Sequence, residues 1–280
     1  MSYIPKSTPA ESIIRELKRR RYSERTIETY IGCVERFFRW CKKPVKEVTK
    51  RDIREWIEFL DNKGNTGNTL NVNLMALRFY FEEILRKRMK LNIKYSKVPE
   101  RIQRVLSKEE IEKLIKAIKN SQHRLMIALM YSSGLRVSEV VNLRIKDLVL
   151  NKGYGFVRNG KGGKDRLFVI SERLENSLNF LIKDRDASEY LFLTNRRDKY
   201  SIRSLQQIVK KAAKTAKIEN WKETHCHTLR HSFATHIIEQ GDSVSDVQAL
   251  LGHKSPETSL GYIHASGKML SIKSPFDNSF

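Results

Sequence analysis

The chain has few cysteines and no long apolar run. Its three cysteines, Cys33, Cys41 and Cys226, include no C-x-x-C pair, so the sequence indicates no disulfide framework. No apolar stretch is long enough to cross a bilayer, and the N-terminus lacks the charged-then-apolar pattern of a signal peptide. These absences predict a soluble, cytoplasmic protein with reduced thiols.

Acidic residues are scarce relative to basic ones. Asp and Glu number 32 against 54 Lys and Arg, which gives the 280-residue chain a net charge of +22. Ribosomal, chromatin-like and thermophilic proteins carry similar charge, but the direct interpretation is a polyanionic partner, either a nucleic acid or a membrane surface. Nucleases often hold Mg²⁺ with a cluster of carboxylates. We find no obvious cluster of this kind, and we predict neither a metal nor a cofactor.

Residues 1–92 are predicted to form a helical domain. Apolar side chains recur at three- and four-residue spacing behind capping residues at Thr8, Ser23 and Thr49, and a fourth helix follows the turn at 62–67. Four short helices with one apolar stripe each make a compact bundle, and the opposite faces are rich in Lys and Arg.

Residues 93–105 are predicted to be a basic linker with little apolar periodicity. The pattern fits either a segment that lies along a phosphate backbone or an exposed tether. Residues 106–264 are predicted to be a second domain, mainly helical, and residues 265–280 a short tail. Within this second domain, 154–158 and 166–170 alternate like paired strands on either side of a glycine-rich hairpin loop. The predicted fold class is therefore mainly α with a small antiparallel β-sheet, in two domains.

Three short motifs contain the candidate chemistry. G-L-R-V-S-E begins at Gly134, H-T-L-R-H at His227 and L-G-H-K-S-P-E-T-S-L-G-Y at Leu251. Breaking a phosphodiester places negative charge on its oxygens, and the planar fork of an arginine binds two such oxygens without a metal. A tyrosine hydroxyl, with an ordinary pKa of about 10, attacks phosphorus once a base or positive charge activates it. The motifs and the hairpin loop supply these candidates: Arg136, Glu139, Lys161, Lys164, His227, Arg230, His253 and Tyr262.

Each candidate also has an ordinary structural explanation. Arg136 alone would be a surface arginine paired with Glu139, and Tyr262 alone a core or interface tyrosine. His227 and His231 have the i, i+4 spacing of zinc metalloproteases, but the glutamate that such a motif requires after the first histidine is absent. The order and spacing of the whole set, rather than any single member, indicate phosphodiester chemistry.

The chain resembles the tyrosine recombinases of the integrase family, and within it looks most like the Xer recombinases. The resemblance covers 106–264 and rests on G-L-R-V-S-E, G-K-G-G-K-D-R, H-T-L-R-H-S-F-A-T-H and L-L-G-H-K-S-P-E-T-S-L-G-Y. It implies a DNA clamp made of an N-terminal SAM-like core-binding domain and a C-terminal catalytic domain. It also implies that Tyr262 is the nucleophile that forms a 3′-phosphotyrosine link, while Arg136 and Arg230 hold the scissile phosphate.

The remaining roles are implied by the same resemblance. Lys161 would be the general acid on the leaving 5′-oxygen, a choice over Lys164 that rests on the family pattern. His227 would act as general base or acid, and His253 would hydrogen-bond the phosphate. Glu139 would be a supporting residue.

The resemblance further implies an assembly and a cellular role. The family works as a tetramer on two short, partly palindromic sites in double-stranded DNA, passes through a Holliday junction, and needs no metal or cofactor. Xer recombinases resolve chromosome dimers, which places the protein at the nucleoid of the cytoplasm and away from membranes. The tail, 265–280, would pack onto a neighbouring subunit, with Phe276 and Phe280 as anchors.

Three other functions fit parts of the pattern. A mobile-element integrase often carries an additional N-terminal DNA-binding domain, for which the few residues before Pro9 leave no room. A type IB topoisomerase uses nearly the same residues to relax any supercoiled DNA. A catalytically silent DNA-binding relative would be expected to have lost Tyr262 or one of the arginines.

Overall fold

The structure is a computed structural model that describes residues 8–87, 89, 91–99, 103–158, 165–252 and 272–277. The chain divides into two compact units, Met1–Arg101 and Ile102–Phe280. The division falls within 93–105, the range predicted to be the linker.

The first unit is a bundle of helices. Each of the four α-helices in the described part of this unit begins behind a Ser or Thr hydroxyl that accepts a hydrogen bond from a main-chain N–H of the first turn. Three of these four caps were predicted from the sequence. The helices are α1 (Pro9–Arg19), α2 (Glu24–Cys41), α3 (Lys50–Asn62) and α4 (Gly67–Arg78).

The last helix of this unit ends in an unusual turn. Directly after α4, residues Phe79–Ile84 form a π-helix, and the Leu85 N–H donates to the Tyr80 carbonyl five residues earlier. The core beneath is aromatic: the ring of Phe37 lies 6.2 Å from that of Trp56 and 6.1 Å from that of Phe81. Burying one such phenylalanine contributes roughly 1.5–3 kcal/mol.

The first half of the predicted linker is held by α4. The side chain of Asn71 donates to the Ser96 carbonyl at 3.0 Å and accepts from the Ser96 N–H at 2.7 Å. The guanidinium of Arg78 donates to the carbonyls of Leu91 and Ile93. The first unit therefore holds this stretch at Ile93 and Ser96, while Lys94, Tyr95 and residues 97–99 are exposed.

The second unit is built around a buried central helix, α6. Residues 125–132 of this helix are all buried, as expected for a helix that is apolar around its circumference. α6 is Ser121–Ser132, and α5 (Lys108–Lys116), α7 (Val137–Asn142), α8 (Glu172–Ile182) and α10 (Cys226–Glu239) pack against it. The other α-helices described in this unit are α9 (Ile202–Thr215) and α11 (Val244–Leu251). Within the described residues, none of the helices combines the length and apolarity that spanning a bilayer requires.

A small antiparallel sheet packs against these helices. Its strands are β1 (Leu148–Val149), β2 (Tyr154–Val157) and β3 (Arg166–Val169), in the order β1-β2-β3. The predicted strand pair and the predicted fold class are confirmed. The sequence analysis missed β1, because two residues are too short to show alternation.

The described part of the tail, 272–277, packs against its own unit. Ser274 donates through Oγ to a main-chain oxygen of α6 at 2.8 Å, and the ring of Phe276 lies 6.3 Å from that of Tyr131. Phe276 is thus part of its own core in the single chain, and a contact with a neighbouring subunit would require it to leave that place. Phe280, the other expected anchor, lies outside the described residues.

Candidate active site

The first motif forms the turn between α6 and α7. Gly134 has a φ of +58°, and a Cβ there would lie 2.4 Å from the ring of Phe233, so this position requires glycine. Arg136 is the N-cap of α7, and its N–H donates to Oε2 of Glu139 at 2.8 Å. Its guanidinium donates through Nη1 to Oε1 of the same carboxylate, also at 2.8 Å. The predicted pair of Arg136 and Glu139 is confirmed.

Glu139 is the centre of a cluster of arginines. This side chain is buried, and its Oε2 lies 2.6 Å from Nη2 of Arg166 and 3.9 Å from Nη1 of Arg230. With Arg136, three guanidinium groups therefore surround one carboxylate. We call these four side chains the arginine cluster. It carries two more positive charges than negative ones.

The arginines keep Glu139 ionised. Burial by itself raises the pKa of a carboxyl group. Here the charge of Arg166 and the hydrogen bonds from Arg136 and Arg166 outweigh burial, so the pKa of Glu139 lies below its ordinary value.

Arg230, on α10, connects two parts of the site. Its Nη1 donates to the Gly134 carbonyl at 2.6 Å, and its Nη2 donates to the Leu251 carbonyl at 2.5 Å. Burial, with the charges of Arg136 and Arg166, lowers the pKa of Arg230 to about 9, and Glu139 opposes this shift. The guanidinium remains charged at neutral pH, in a place where further negative charge would be favourable.

The C-terminal end of α11 is bound by the arginine cluster. The Leu250 carbonyl accepts from Arg166 at 2.5 Å, and the Leu251 carbonyl accepts from Arg230 at 2.5 Å and from Arg136 at 3.4 Å. These last carbonyls of a helix lack partners within the helix and carry partial negative charge. α11 therefore ends at the arginine cluster.

The second motif forms the start of α10. The helix begins at Cys226 with His225 as its N-cap, whose N–H and ring bond the side chain of Thr228. Neither His227 nor Thr228 caps the helix, because the Thr228 hydroxyl is the reciprocal partner of His225 in a capping box. His227 itself is exposed and lies one helical turn before Arg230, which is buried.

The structure thus brings together three of the predicted site residues, Arg136, Glu139 and Arg230, and places His227 on the helix that carries Arg230. Four other candidates lie outside the described residues: Lys161, Lys164, His253 and Tyr262. Sequence reasoning missed one member of the cluster, Arg166. The available signal was its place in G-K-G-G-K-D-R, at the start of a predicted strand.

Among the residues that the structure describes, no group of three or more His, Cys, Asp or Glu side chains is arranged to hold a metal ion. The sequence does contain one D-x-D spacing, at Asp184 and Asp186. The Asp186 carboxylate accepts the N–H of Ser188 at 2.7 Å, which assigns it to a local turn.

The two units match two parts of one known family. The model of the phage integrase family matches residues 104–269, and that of the phage integrase N-terminal SAM-like domain matches residues 10–91. Among solved structures, the chain is similar to a lambda integrase tetramer bound to a Holliday junction, with a TM-score of 0.71 at 19% identity. That match covers 90% of this chain and 79% of the other, and it shows the fold.

Curated relatives point to one branch of that family. A tyrosine recombinase XerA of Pyrococcus horikoshii is 34% identical over 252 residues, covering 89% of this chain and 86% of the relative. The tyrosine recombinase XerA of Pyrococcus furiosus is 36% identical over 255 residues, with the same coverage. The chain therefore belongs to the phage integrase family, as a tyrosine recombinase of the Xer type.

Proposed function

We propose that Arg136 and Arg230 hold the scissile phosphate of a double-stranded DNA site while Tyr262 attacks it. Members of this family are site-specific recombinases that cleave and rejoin DNA without a metal requirement. The observation that carries the proposal is the arginine cluster, in which three buried or half-buried guanidinium groups share one carboxylate.

The charge of the cluster fits the charge of the reaction. A phosphodiester carries one negative charge, and its pentavalent transition state carries roughly two. The arginine cluster has two positive charges in excess. An interaction that strengthens as negative charge develops lowers the barrier, whereas equal binding of the substrate and the transition state would not.

The two proposed phosphate-binding arginines are fixed before DNA arrives. A guanidinium group has about five N–H donors. The side chain of Arg136 uses two of them, on Glu139 and Leu251, and that of Arg230 uses two on carbonyl oxygens. The Arg136 side chain is 20% exposed and that of Arg230 is 6% exposed. A phosphate would therefore meet Arg136 near the surface and Arg230 beneath it.

The remaining chemistry follows the family pattern. The Tyr262 oxygen forms a bond to phosphorus, the bond from phosphorus to the 5′-oxygen breaks, and Lys161 supplies the proton that this oxygen takes up. His227 moves a proton to or from the reacting groups, and His253 hydrogen-bonds the phosphate. A free 5′-hydroxyl of the partner duplex then attacks the phosphotyrosine and releases Tyr262. The role of Lys161 in place of Lys164 rests on the resemblance alone.

The proposal extends to assembly and biological role. Solved relatives include integrases bound to DNA as a dimer and as a tetramer. The net charge of +22 supports a DNA partner for this chain as well. We propose a homo-tetramer on two partly palindromic sites that resolves chromosome dimers at the nucleoid. In it the tail, 265–280, would exchange between subunits.

Covalent trapping on a panel of DNA substrates tests the proposed function. The substrates are nicked duplexes that carry short palindromic sites, including sites of the chromosome-dimer-resolution type and mobile-element ends, and they are incubated with the protein in EDTA. We expect a protein–DNA adduct on one class of site. Adducts on every duplex would favour a topoisomerase-like activity, adducts confined to mobile-element ends would favour an integrase, and tight binding without an adduct would favour a silent DNA-binding protein.

Replacing Arg230 by lysine tests the phosphate-binding role. Lysine offers one nitrogen and cannot reproduce the fork of donors, so we expect cleavage to slow by a factor on the order of 10²–10³. The affinity for DNA should change little, because many phosphate contacts together supply the binding free energy. The measurement is the rate of adduct formation on a saturating nicked duplex.

The control for this variant is Arg185→Lys. Arg185 also donates to main-chain carbonyls, those of Tyr190 and Leu191 at 2.6 and 2.9 Å, but lies outside the arginine cluster. We expect it to cleave like wild type. Cleavage by Arg230→Lys at the rate of this control would remove Arg230 from the phosphate site.

A further inference from the structure

We propose that Arg166 is a positioning residue for the cleavage reaction. It fixes Glu139 and the end of α11, and through them the two arginines that meet the phosphate. The inference rests on the proposed roles of Arg136 and Arg230.

The side chain of Arg166 makes contacts in two directions. As the first residue of β3 it is buried, with 8% of its surface exposed. Its Nη2 donates to Oε2 of Glu139 at 2.6 Å, while its Nη1 donates to the Leu250 carbonyl at 2.5 Å. One guanidinium group therefore joins β3, α7 and α11.

Arg166 determines how Glu139 faces Arg136. The carboxylate uses Oε1 for the guanidinium of Arg136, and Oε2 for both the N–H of Arg136 and Nη2 of Arg166. The hydrogen bond from Arg166, the first residue of β3, holds Oε2 on the side that faces the sheet. Without it, Oε2 would keep only the N–H of Arg136, and the carboxylate would hold the guanidinium of Arg136 less firmly in place.

The aliphatic part of Arg166 also shapes the end of α11. A Cβ on Gly252 would lie 2.9 Å from Cδ of Arg166, and Gly252 has a φ of +64°, which strains other residues. The helix thus ends in a left-handed glycine that lies directly against the Arg166 side chain. Leu251, next to this glycine, supplies the carbonyl that Arg136 and Arg230 share.

An arginine is required at this position by geometry. The carboxylate of Glu139 and the carbonyl of Leu250 are bound through different nitrogens of one planar fork. A lysine at 166 would keep the charge and the burial but could not bond both groups in this geometry. Arg166→Lys is therefore the informative variant, because it alters position while it conserves charge.

The expected result is slower chemistry with unchanged binding. Displacing a catalytic group by an ångström, or losing the partner that orients it, costs roughly 10–100-fold in rate. We expect Arg166→Lys to form the adduct 10–100-fold more slowly at saturating DNA, with no change in DNA affinity. A thermal unfolding curve checks that the variant is folded at the temperature of the cleavage assay.

A double variant separates positioning from general stability. If Arg166 acts through Glu139, Arg166→Lys combined with Glu139→Gln should cleave no more slowly than the slower single variant. The matched control is Arg158→Lys, which directly follows β2 at the same end of the strand pair, beside Val157, the register partner of Arg166. Arg158 is half-exposed and pairs with Asp147 at 2.9 Å, and its variant should cleave like wild type.

The outcomes are distinct. Slow cleavage by folded Arg166→Lys with intact DNA binding, and no further loss in the double variant, supports the proposal. Wild-type cleavage by Arg166→Lys overturns it and leaves the proposed function standing, and multiplied losses in the double variant overturn the route through Glu139. If wild type itself forms no adduct on any duplex of the panel, the proposed function fails and this inference fails with it.

Discussion

Glu139→Gln is expected to unfold with a free energy about 3–5 kcal/mol lower than wild type, because it leaves buried arginines without their counter-charge. Glutamine has nearly the same shape as glutamate, so the loss reports charge rather than packing. The affected partners are Arg166 and Arg230, each with 6% of its side chain exposed. Cleavage should fall as well, since Arg136 loses the carboxylate that orients it. Urea unfolding at neutral pH measures the first effect, and adduct formation measures the second.

The same variant has a defined pH dependence. The pKa of Glu139 in the folded protein lies below its ordinary value, whereas in the unfolded chain it is about 4.3. The ionised carboxylate therefore stabilises the fold fully above about pH 4.3, and this contribution is lost as the pH falls through the folded pKa. The difference in stability between wild type and Glu139→Gln should be constant from pH 7 to about 5 and shrink below about 4.3.

An exposed ion pair serves as the control. Glu112 pairs with Lys116 on α5, and the two side chains are 34% and 74% exposed. We expect Glu112→Gln to lower stability by no more than about 0.5 kcal/mol, because solvent screens such pairs. An equal, small loss for both variants would contradict the central place of Glu139 in the arginine cluster.

Much of the fold was accessible from local patterns. Helix starts were found because a hydroxyl before an apolar stripe satisfies N–H groups that the first turn leaves free, as Thr8 and Thr49 do. The strand pair was predicted because alternating apolar and polar residues are typical of a half-buried strand. The pairing of Arg136 with Glu139 could also be predicted, because an N-cap residue and the residue three positions later can form a capping box.

Other features depended on tertiary contacts that no local pattern contains. The burial of Arg166 follows from the approach of α7 and α11 to β3, and these elements are far apart in sequence. Residues 93–99 were predicted to belong to a linker, because their contacts with Asn71 and Arg78 on α4 leave no local pattern in the sequence.

The proposed phosphate site would also account for activity without a metal. Its guanidinium groups would supply the positive charge that a metal ion supplies in other enzymes, and main-chain carbonyls of Gly134, Leu250 and Leu251 hold these groups in place. Groups oriented in advance need little reorganisation when charge develops on the phosphate. Burying several positive charges close together is unfavourable, and the negative charge of Glu139 offsets part of this effect.

The most direct test of the central claim is the trapping of a covalent adduct by wild type and by Tyr262→Phe. Both proteins are incubated in EDTA with the nicked duplex that wild type cleaves, and the products are separated on a denaturing gel. Tyr154→Phe, which removes a hydroxyl from β2, is the matched control. We expect an adduct with wild type and with the control, and none with Tyr262→Phe, although all three bind the DNA. An adduct formed by Tyr262→Phe at the wild-type rate would contradict the account, because another residue would then be the nucleophile.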